Sequence, residues 1–523
     1  MPDTQKNIVF LFLSIVILVL SVAVVILASI TLPIAFKSSK NTIPTRQPLP
    51  VKPTTTTSTC GKNWRQAACC RQACPKKWDQ APLLLISMDG FWANYLTRNR
   101  TMALQRLIDC GAHAPFMYPC YPSKTFPNHY SIVTGLYPES HGIIDNHMFD
   151  PSIQPVNDQH FSISKPTSHN IQWWFGEPLW NTVVKSGKKA ATFFWPGSDV
   201  KIQNMTPTYW RKYDSNVPFA SRVDQVVKWL LLPDDQRPEF VTLYFRQPDH
   251  TGHIYGPFSP ELNNELIIVD SMINYLMTEL YRNNIFHCVN IIMLADHGMQ
   301  DVRETKNLNS SFNIYVKDYL PNNLPNEVMF FEGPVGRIML NQTYPVSSPV
   351  LNSVLSEMTC HINNSRTYSR SQLPKRLHYS RSPRIGDVIV DSDPGYLVWY
   401  NRSTHYNISG QHGYDFRDTS MHALFLAHGP SFKQGVTIEP FENIELYHLM
   451  ADVLEIPMEK RAANNGTRGS LNHILENIPI PSTQPQSQIT KCLPLGRIST
   501  CGSCTQKLKL RSWDRYYEEP QFH

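Results

Sequence analysis

The chain has 523 residues and a formal net charge of +6. This length suffices for one large domain or for two to three average ones. Because the small positive charge is spread along the chain and forms no concentrated basic stripe, we predict no binding of duplex nucleic acid. We interpret the locally basic stretch 366–384 as a solvated loop.

The first 36 residues predict a membrane anchor. No charged residue lies between positions 8 and 36, and residues 8–28 form an apolar run that reaches the ~20 residues needed to cross a bilayer. The core of a cleaved signal peptide is shorter, about 7–15 residues. We therefore expect a short cytoplasmic stub and a signal anchor over 1–36. Lys6 precedes the run and Lys37 and Lys40 follow it, so the flanking charges do not determine its orientation and favour the one opposite to a type II anchor.

A stalk and a cysteine-rich segment follow the anchor. Residues 37–59 are rich in Pro, Ser and Thr, which is typical of an extended spacer. Four cysteines then fall within 60–78, at Cys60, Cys69, Cys70 and Cys74. They form either a small disulfide knot or a clasp between the stalk and the next domain, and we favour the clasp. The whole chain has 11 cysteines, and this odd number leaves a disulfide-linked homodimer open.

The cysteines and the glycosylation patterns favour an extracytoplasmic position for most of the chain. A cysteine-rich segment of this kind is typical of an oxidising compartment. We therefore expect a single-pass type II protein of the cell membrane, with release of a soluble form left open. N-glycosylation patterns occur at Asn99, Asn204, Asn309, Asn341, Asn363, Asn401, Asn407 and Asn465.

Residues 79–478 predict one large α/β domain with a mostly parallel central sheet flanked by helices. Apolar runs of strand length at 83–88, 241–245 and 290–295 alternate with longer amphipathic segments. Segments 102–110, 261–281 and 444–454 are predicted to be helices. From 479 to 523 the chain is first rich in Pro, Ser and Gln and then carries further cysteines, so we interpret it as a tethered tail.

Metal-ligating side chains follow the ends of the predicted strands. In open α/β sheets the carboxyl ends of the strands line one crevice, so these groups are expected to meet. Carboxylates and imidazoles in sets of three with an open position are typical of catalytic zinc. The sequence Pro248 to His253 contains proline and glycine and predicts a loop. The candidate ligands are Asp89, Asp249, His253, Asp296, His297 and His412.

Thr125 is the candidate nucleophile. It stands just before an apolar segment that we predict to be a helix, so one alternative is that it serves only as the helix N-cap. A hydroxyl at a helix N-terminus also lies at the positive end of the helix dipole. Because threonine is a weak nucleophile and no base lies in the local sequence, metal coordination is the expected means of activation.

Seven short blocks of sequence follow one another in a fixed order along this domain. They are Ser87 to Phe91, Lys124 to His129, Thr134 to Gly142, Asp145-Asn146, Pro248 to His253, Asp296 to Met299 and His412 to Asp415. Together these blocks resemble the ecto-nucleotide pyrophosphatase/phosphodiesterase family of the alkaline phosphatase superfamily. The resemblance extends from about residue 82 to about residue 478.

The resemblance implies a two-zinc hydrolase with an alkaline-phosphatase-like core. It implies that one zinc is held by Asp89, Thr125, Asp296 and His297, and the other by Asp249, His253 and His412. Asn146 would steady a non-bridging phosphate oxygen. The expected reaction is hydrolysis of nucleotide phosphodiester and pyrophosphate bonds through a nucleotidyl-threonine, which releases nucleoside 5′-monophosphates.

The resemblance also implies a nucleotide pocket. Phe126 and Tyr213 would sandwich the base, since aromatic faces stack on any base, and Lys124, Trp195, Asp199 and Tyr244 would complete the pocket. For each aromatic residue, ordinary core packing is the alternative.

Three features depart from the family pattern. The segment between Asn146 and Trp173 does not match closely. Residues 60–78 are only a fragment of a somatomedin-B-like module, and we expect a short member without the nuclease-like domain of larger relatives.

Two alternative functions remain open. One is a choline-phospholipid phosphodiesterase with the same metals, and the other is a catalytically inert surface receptor.

Overall fold

An eight-stranded sheet forms the centre of the domain, with the neighbouring strands Leu83–Met88 and Asn290–Leu294 at its middle. The computed structural model describes residues 61–321, 324, 328–340, 348–359 and 361–477. Across the sheet the strands are Val436–Thr437, Ala112–His113, Phe425–His428, Asn290–Leu294, Leu83–Met88, Phe240–Phe245, Ala190–Phe193 and Tyr209–Trp210.

Most neighbouring strands of this sheet run parallel. Leu83–Met88 pairs in parallel with Phe240–Phe245 on one side and with Asn290–Leu294 on the other. Phe425–His428 is antiparallel to both of its neighbours, so the sheet is mixed. Every residue of Leu83–Met88 and Phe240–Phe245 is buried, which is why these strands are continuous apolar runs without alternation. The prediction of an α/β domain with a mostly parallel sheet is confirmed.

Helices flank the sheet in two groups whose members contact one another. One group contains Met102–Cys110, Phe219–Leu230 and Pro260–Arg282, and the other contains Thr125–Thr134, Leu179–Lys185 and Leu446–Val453. The remaining α-helices of the described residues are Trp64–Ala67, Pro138–His141, Asp249–Tyr255 and Ser348–Thr359. The helices predicted at 102–110, 261–281 and 444–454 are therefore present, with ends that differ by no more than two residues.

The prediction of a loop at Pro248 to His253 was wrong. Residues Asp249–Tyr255 form an α-helix with Pro248 at its N-cap position. Proline is well tolerated at the start of a helix, where its missing N–H has no intrahelical partner. Gly252 lies against the Met299 side chain in this short helix, since a Cβ there would be 2.9 Å from the Met299 terminal methyl.

A second, four-stranded antiparallel sheet packs on its own apolar cluster, which includes Ile338, Val388 and Val390. Its strands, in spatial order, are Met329–Phe331, Val335–Met339, Val388–Ser392 and Ser365–Ser369. Part of the basic stretch 366–384 thus lies in a strand, and Arg366 and Arg384 are buried. The prediction of a solvated loop was wrong here. Burial is tolerated at Arg384 because Asp150 and three backbone carbonyls accept its hydrogen bonds.

The cysteine-rich segment is covalently joined to the domain. Cys69 is bonded to Cys110, and Cys74 is bonded to Cys288. Two of the four cysteines between 60 and 78 therefore form the links that a clasp requires. Cys60, the predicted anchor over 1–36, the stalk over 37–59 and the tail over 479–523 lie outside the described residues. None of the helices within the described residues combines the length and apolar character that a membrane crossing requires.

Candidate metal and nucleophile site

Three carboxylates meet at one edge of the central sheet. Asp89 follows Leu83–Met88, Asp296 follows Asn290–Leu294 and Asp249 follows Phe240–Phe245 after a short turn. Because these strands are parallel, their carboxyl ends lie together. The backbone N–H of Gly90 donates to Asp296 Oδ1 at 3.0 Å, and that of Asp249 donates to the Asp89 carbonyl at 3.0 Å.

The first cluster consists of Asp249, His253 and His412. Asp249 and His253 are four residues apart on the helix Asp249–Tyr255, so they share one face. Asp249 Oδ1 lies 3.3 Å from His253 Nε2 and 3.5 Å from His412 Nε2, and the two Nε2 atoms are 3.1 Å apart. The Nδ1 atoms contact the carbonyls of Gly410 and Ser123. This backbone contact holds each ring so that Nε2 faces the cluster.

The second cluster consists of Asp89, Asp296, His297 and Thr125. His297 Nε2 lies 3.0 Å from Asp296 Oδ2, 3.5 Å from Asp89 Oδ1 and 3.3 Å from Thr125 Oγ1. His297 Nδ1 faces the Gly298 carbonyl at 2.9 Å. All four residues of this cluster are buried, whereas Asp249 and His253 of the first cluster are half-buried. The first cluster therefore lies on the side of the site that is nearer to solvent.

His297 lies between the two clusters. Its ring stacks on that of His412 with centroids 3.5 Å apart. Within the described residues, the potential ligand atoms of Asp249, His297 and His412 lie within 4.8 Å of one another, and so do those of Asp89, His129 and Asp296. The two clusters are thus contiguous, as a pair of ions sharing one substrate phosphate would require.

The carboxylate oxygens of both clusters fit bound cations. Asp89 Oδ1, Asp249 Oδ1 and Asp296 Oδ2 are buried and have no hydrogen-bond partner, although imidazole nitrogens lie close to each. A buried carboxylate without partners is costly, and a cation at the point where these oxygens and the Nε2 atoms converge would satisfy them. The donor set of aspartate and histidine is one that zinc binds in catalytic sites.

The pKa values of the site residues also indicate a bound cation. Burial, with repulsion from Asp296 and Asp249, raises the pKa of Asp89 well above its usual range. Burial also acts to raise the pKa of Asp249, but the neighbouring imidazoles, led by His253, outweigh it and lower this pKa to about 2. Burial and the adjacent imidazoles lower the pKa of His412 well below its usual range. A divalent cation would supply the positive charge that keeps all three carboxylates ionised.

Thr125 is the first residue of the helix Thr125–Thr134, and Lys124 occupies the N-cap position. The alternative that Thr125 is the N-cap is therefore wrong. Its hydroxyl lies at the positive end of the helix dipole and beside His297. Asn146 Oδ1 accepts a hydrogen bond from the Phe126 N–H at 3.0 Å, so its amide nitrogen is the atom that can face a substrate oxygen next to Thr125.

Comparison with known proteins identifies the family. The family model of type I phosphodiesterases and nucleotide pyrophosphatases matches residues 83–415. This chain belongs to that family. It is 43% identical over 449 residues to the venom phosphodiesterase of Macrovipera lebetinus, an alignment that covers 83% of this chain and 50% of the relative. It is 41% identical over 453 residues to ectonucleotide pyrophosphatase/phosphodiesterase family member 3 of Rattus norvegicus, which covers 84% of this chain and 49% of the relative.

The family assignment confirms the resemblance seen in the sequence blocks. This phosphodiesterase-family chain spans about half the length of the curated relatives that it matches.

Two of the residues predicted for the nucleotide pocket are buried beside the second cluster. Tyr244 donates its hydroxyl hydrogen to Asp89 Oδ2 at 2.6 Å. Trp195 is only 2% exposed, and its indole N–H donates to the His129 carbonyl at 2.9 Å. The structure therefore gives Tyr244 a contact with a candidate metal ligand and gives Trp195 a packing position against the helix Thr125–Thr134.

The other four predicted pocket residues differ in accessibility. Tyr213 is 46% exposed and Phe126 is half-buried, so both rings keep open surface. Asp199 pairs with His169 at 3.2 Å and accepts from the Tyr213 N–H at 3.4 Å. Lys124 is buried, and its Nζ lies 2.8 Å from Asp145 Oδ1.

Sequence reasoning assigned no role to two residues beside the site. His129 contacts both Thr125 and Asp296, and its position four residues after Thr125 in a predicted helix was a usable signal. Arg337 lies on the strand Val335–Met339 of the second sheet and pairs with Asp145 at 3.1 Å. No local sequence pattern could have indicated that long-range contact.

Proposed function

We propose that this chain is a metal-dependent hydrolase that cleaves nucleotide phosphodiester and pyrophosphate bonds, for example ATP to AMP and pyrophosphate, or dinucleotides, and releases nucleoside 5′-monophosphates. The observation that carries the proposal is the convergence of unpartnered carboxylate oxygens and imidazole Nε2 atoms, with His297 Nε2 lying 3.3 Å from Thr125 Oγ1. The printed names of the relatives, phosphodiesterase and nucleotide pyrophosphatase, favour the same reaction.

Thr125 is the proposed nucleophile. Its Oγ1 forms a bond to the α-phosphorus while the bond to the leaving group breaks and the leaving group takes the electron pair. The hydroxyl proton passes to solvent water in this step, and a nucleotidyl-threonine results. Water then attacks phosphorus from the vacated side, the 5′-monophosphate departs and the threonine hydroxyl is restored. The amide nitrogen of Asn146 donates to a non-bridging oxygen, where negative charge grows in both steps.

We assign two Zn²⁺ ions to the site. Asp89, Thr125, Asp296 and His297 would hold one ion, and Asp249, His253 and His412 would hold the other. Bound zinc lowers the pKa of a coordinated hydroxyl or water and neutralises charge on phosphate oxygens. The backbone contacts that orient His253, His412 and His297 through their Nδ1 atoms leave the Nε2 atoms free to bind the ions.

The base of the nucleotide is proposed to stack between Phe126 and Tyr213. Both rings keep accessible surface, and Phe126 follows the nucleophile directly. Stacking contributes about 1–3 kcal/mol per base and tolerates any base, so broad nucleotide use is expected. Asp199, Lys124, Trp195 and Tyr244 complete the pocket in this proposal, the last two as buried walls and not as direct contacts.

We further propose an extracellular catalytic domain anchored in the cell membrane by residues 1–36. The two disulfides support an oxidising compartment. The glycosylation patterns support it as well, because six of their asparagines are exposed in the described residues, namely Asn99, Asn204, Asn309, Asn363, Asn407 and Asn465.

A product assay on ATP tests the proposed reaction. The wild-type protein should convert ATP to AMP and pyrophosphate, and both a zinc chelator and Thr125→Ala should abolish the conversion. p-Nitrophenyl thymidine monophosphate should be cleaved far better than p-nitrophenyl phosphorylcholine. Release of ADP and phosphate, activity that survives thorough chelation, or a preference for the choline substrate would each refute the proposal.

A further inference from the structure

His129 is a buried group that the proposed mechanism leaves without a role. Its side chain is fully buried on the helix Thr125–Thr134. Nδ1 lies 2.9 Å from the Thr125 carbonyl oxygen and 3.3 Å from Asp296 Oδ2. Nε2 lies 2.8 Å from Ser87 Oγ. One imidazole thus contacts the nucleophile residue, a candidate metal ligand and the strand that leads to Asp89.

The partners of His129 determine its tautomer. A carbonyl oxygen and an ionised carboxylate can only accept hydrogen bonds, so Nδ1 must carry the hydrogen. In the neutral ring Nε2 then has the lone pair and accepts from the Ser87 hydroxyl. The ring is held further by edge-to-face contacts with Trp195 and Tyr244, at centroid distances of 4.9 and 5.4 Å.

We propose that His129 is a positioning residue, whose Nδ1–H fixes the Asp296 carboxylate relative to the first turn of the nucleophile helix. Asp296 Oδ2 makes no hydrogen bond, and two imidazoles lie beside it. His297 Nε2 lies 3.0 Å from Asp296 Oδ2 and contacts the Thr125 hydroxyl, whereas the His129 Nδ1–H, 3.3 Å from the same oxygen, relates it to the Thr125 backbone. This inference rests on the proposed function. Partners of metal ligands typically change metal affinity or activity by about 10- to 100-fold when they are lost, and we expect an effect of that size on kcat with little change in KM.

Two substitutions of His129 separate positioning from packing. In His129→Asn the amide nitrogen takes the place of Nδ1 and can still donate toward Asp296, but the side chain is smaller. In His129→Gln the amide lies near the place of Nε2, close to Ser87, and the volume of the ring is better filled. If positioning governs the effect, kcat of the Asn variant stays within about threefold of wild type, while the Gln variant loses about 10- to 100-fold. If packing governs it, the order is reversed.

The Tm of each protein is recorded first. We then measure kcat and KM on p-nitrophenyl thymidine monophosphate. The bound zinc per chain and the chelator concentration that removes half of this zinc are measured on the same proteins. The Gln variant should lose zinc at lower chelator concentration than the Asn variant. The matched control is His141→Gln, since His141 is also buried and its Nε2 contacts Ser131 Oγ at 2.9 Å. This control should keep wild-type kcat and zinc retention.

The outcomes distinguish this inference from the proposed function. Suppose that the wild-type protein is active and that the Asn variant loses as much kcat as the Gln variant, or more. This result would overturn the role of His129 alone. A wild-type protein without turnover would overturn the proposed function instead, and zinc retention would still report on His129. If the Gln variant does not fold, Ser87→Ala tests the same tautomer. Removing the Ser87 hydroxyl should lower kcat and zinc retention together. Wild-type values of both in Ser87→Ala would refute the inference.

Discussion

Replacing Tyr244 by phenylalanine removes one hydroxyl and tests whether this residue supports a metal ligand or contacts the base. The hydroxyl donates to Asp89 Oδ2 at 2.6 Å in a buried setting. A hydrogen bond to a charged group contributes about 1.5–3 kcal/mol. Because about 1.4 kcal/mol corresponds to a factor of ten, metal binding at the second cluster should weaken by roughly 10- to 150-fold.

The assay combines steady-state kinetics on p-nitrophenyl thymidine monophosphate with a chelator titration of bound zinc. At limiting zinc the variant should show a lower kcat, and added zinc should restore it, with KM nearly unchanged. Tyr130→Phe is the matched control, because the Tyr130 hydroxyl is buried without a hydrogen-bond partner. A raised KM with unchanged zinc retention in Tyr244→Phe would refute this reasoning and assign the residue to the base pocket.

Three further predictions concern the frame of the site. Gly90 has φ +64°, and a Cβ there would lie 2.8 Å from the Asp249 side chain of the first cluster. Gly90→Ala should therefore lower both Tm and zinc content. A variant that binds as much zinc as the wild type would contradict this prediction. Burial acts to raise the pKa of Asp145, but Lys124 and Arg337 outweigh it and lower the pKa. Its carboxylate therefore stabilises the fold above the unfolded pKa of about 3.9, and this contribution is lost as pH falls through the lowered value. The Tm deficit of Asp145→Asn should consequently be largest at pH 7 and shrink below about pH 4, and a deficit independent of pH would oppose this assignment. Cys288→Ser opens a disulfide between residues 214 positions apart and should cost about 2–5 kcal/mol of unfolding free energy, measured by denaturant titration with the wild type as reference.

Local patterns predicted the elements that carry the site. The strand predicted at 83–88 is observed as Leu83–Met88, and the strand predicted at 290–295 is observed as Asn290–Leu294. Both are buried apolar runs of strand length, for which hydrophobic pattern is a strong signal. The carboxyl-end rule then indicated that the following aspartates would meet, and their oxygens do lie in contiguous clusters.

Predictions failed where tertiary contacts outweigh local preference. Proline and glycine in Pro248 to His253 predicted a loop, yet Asp249–Tyr255 is a helix in which Gly252 lies against the Met299 side chain. The positive charge of the stretch 366–384 predicted that Arg384 is exposed. Arg384 is instead buried, and its charge is paired with that of Asp150. Partners such as these are far apart in the chain, so no window of sequence contains them.

The contacts of Tyr244 were likewise beyond sequence reasoning. A tyrosine that lines a nucleotide pocket and a tyrosine that is hydrogen-bonded to a candidate metal ligand look the same in a sequence. Only the position of the Tyr244 hydroxyl next to Asp89 separates the two roles.

The central claim is that two cations are held by two separate sets of ligands around Thr125, and counting bound zinc in ligand variants tests it most directly. Purified wild-type protein should hold two zinc ions per chain, while Asp249→Ala and Asp296→Ala should each hold one, with phosphodiesterase activity lost in both. Two ions retained in either variant, or one ion or none in active wild-type protein, would contradict the account.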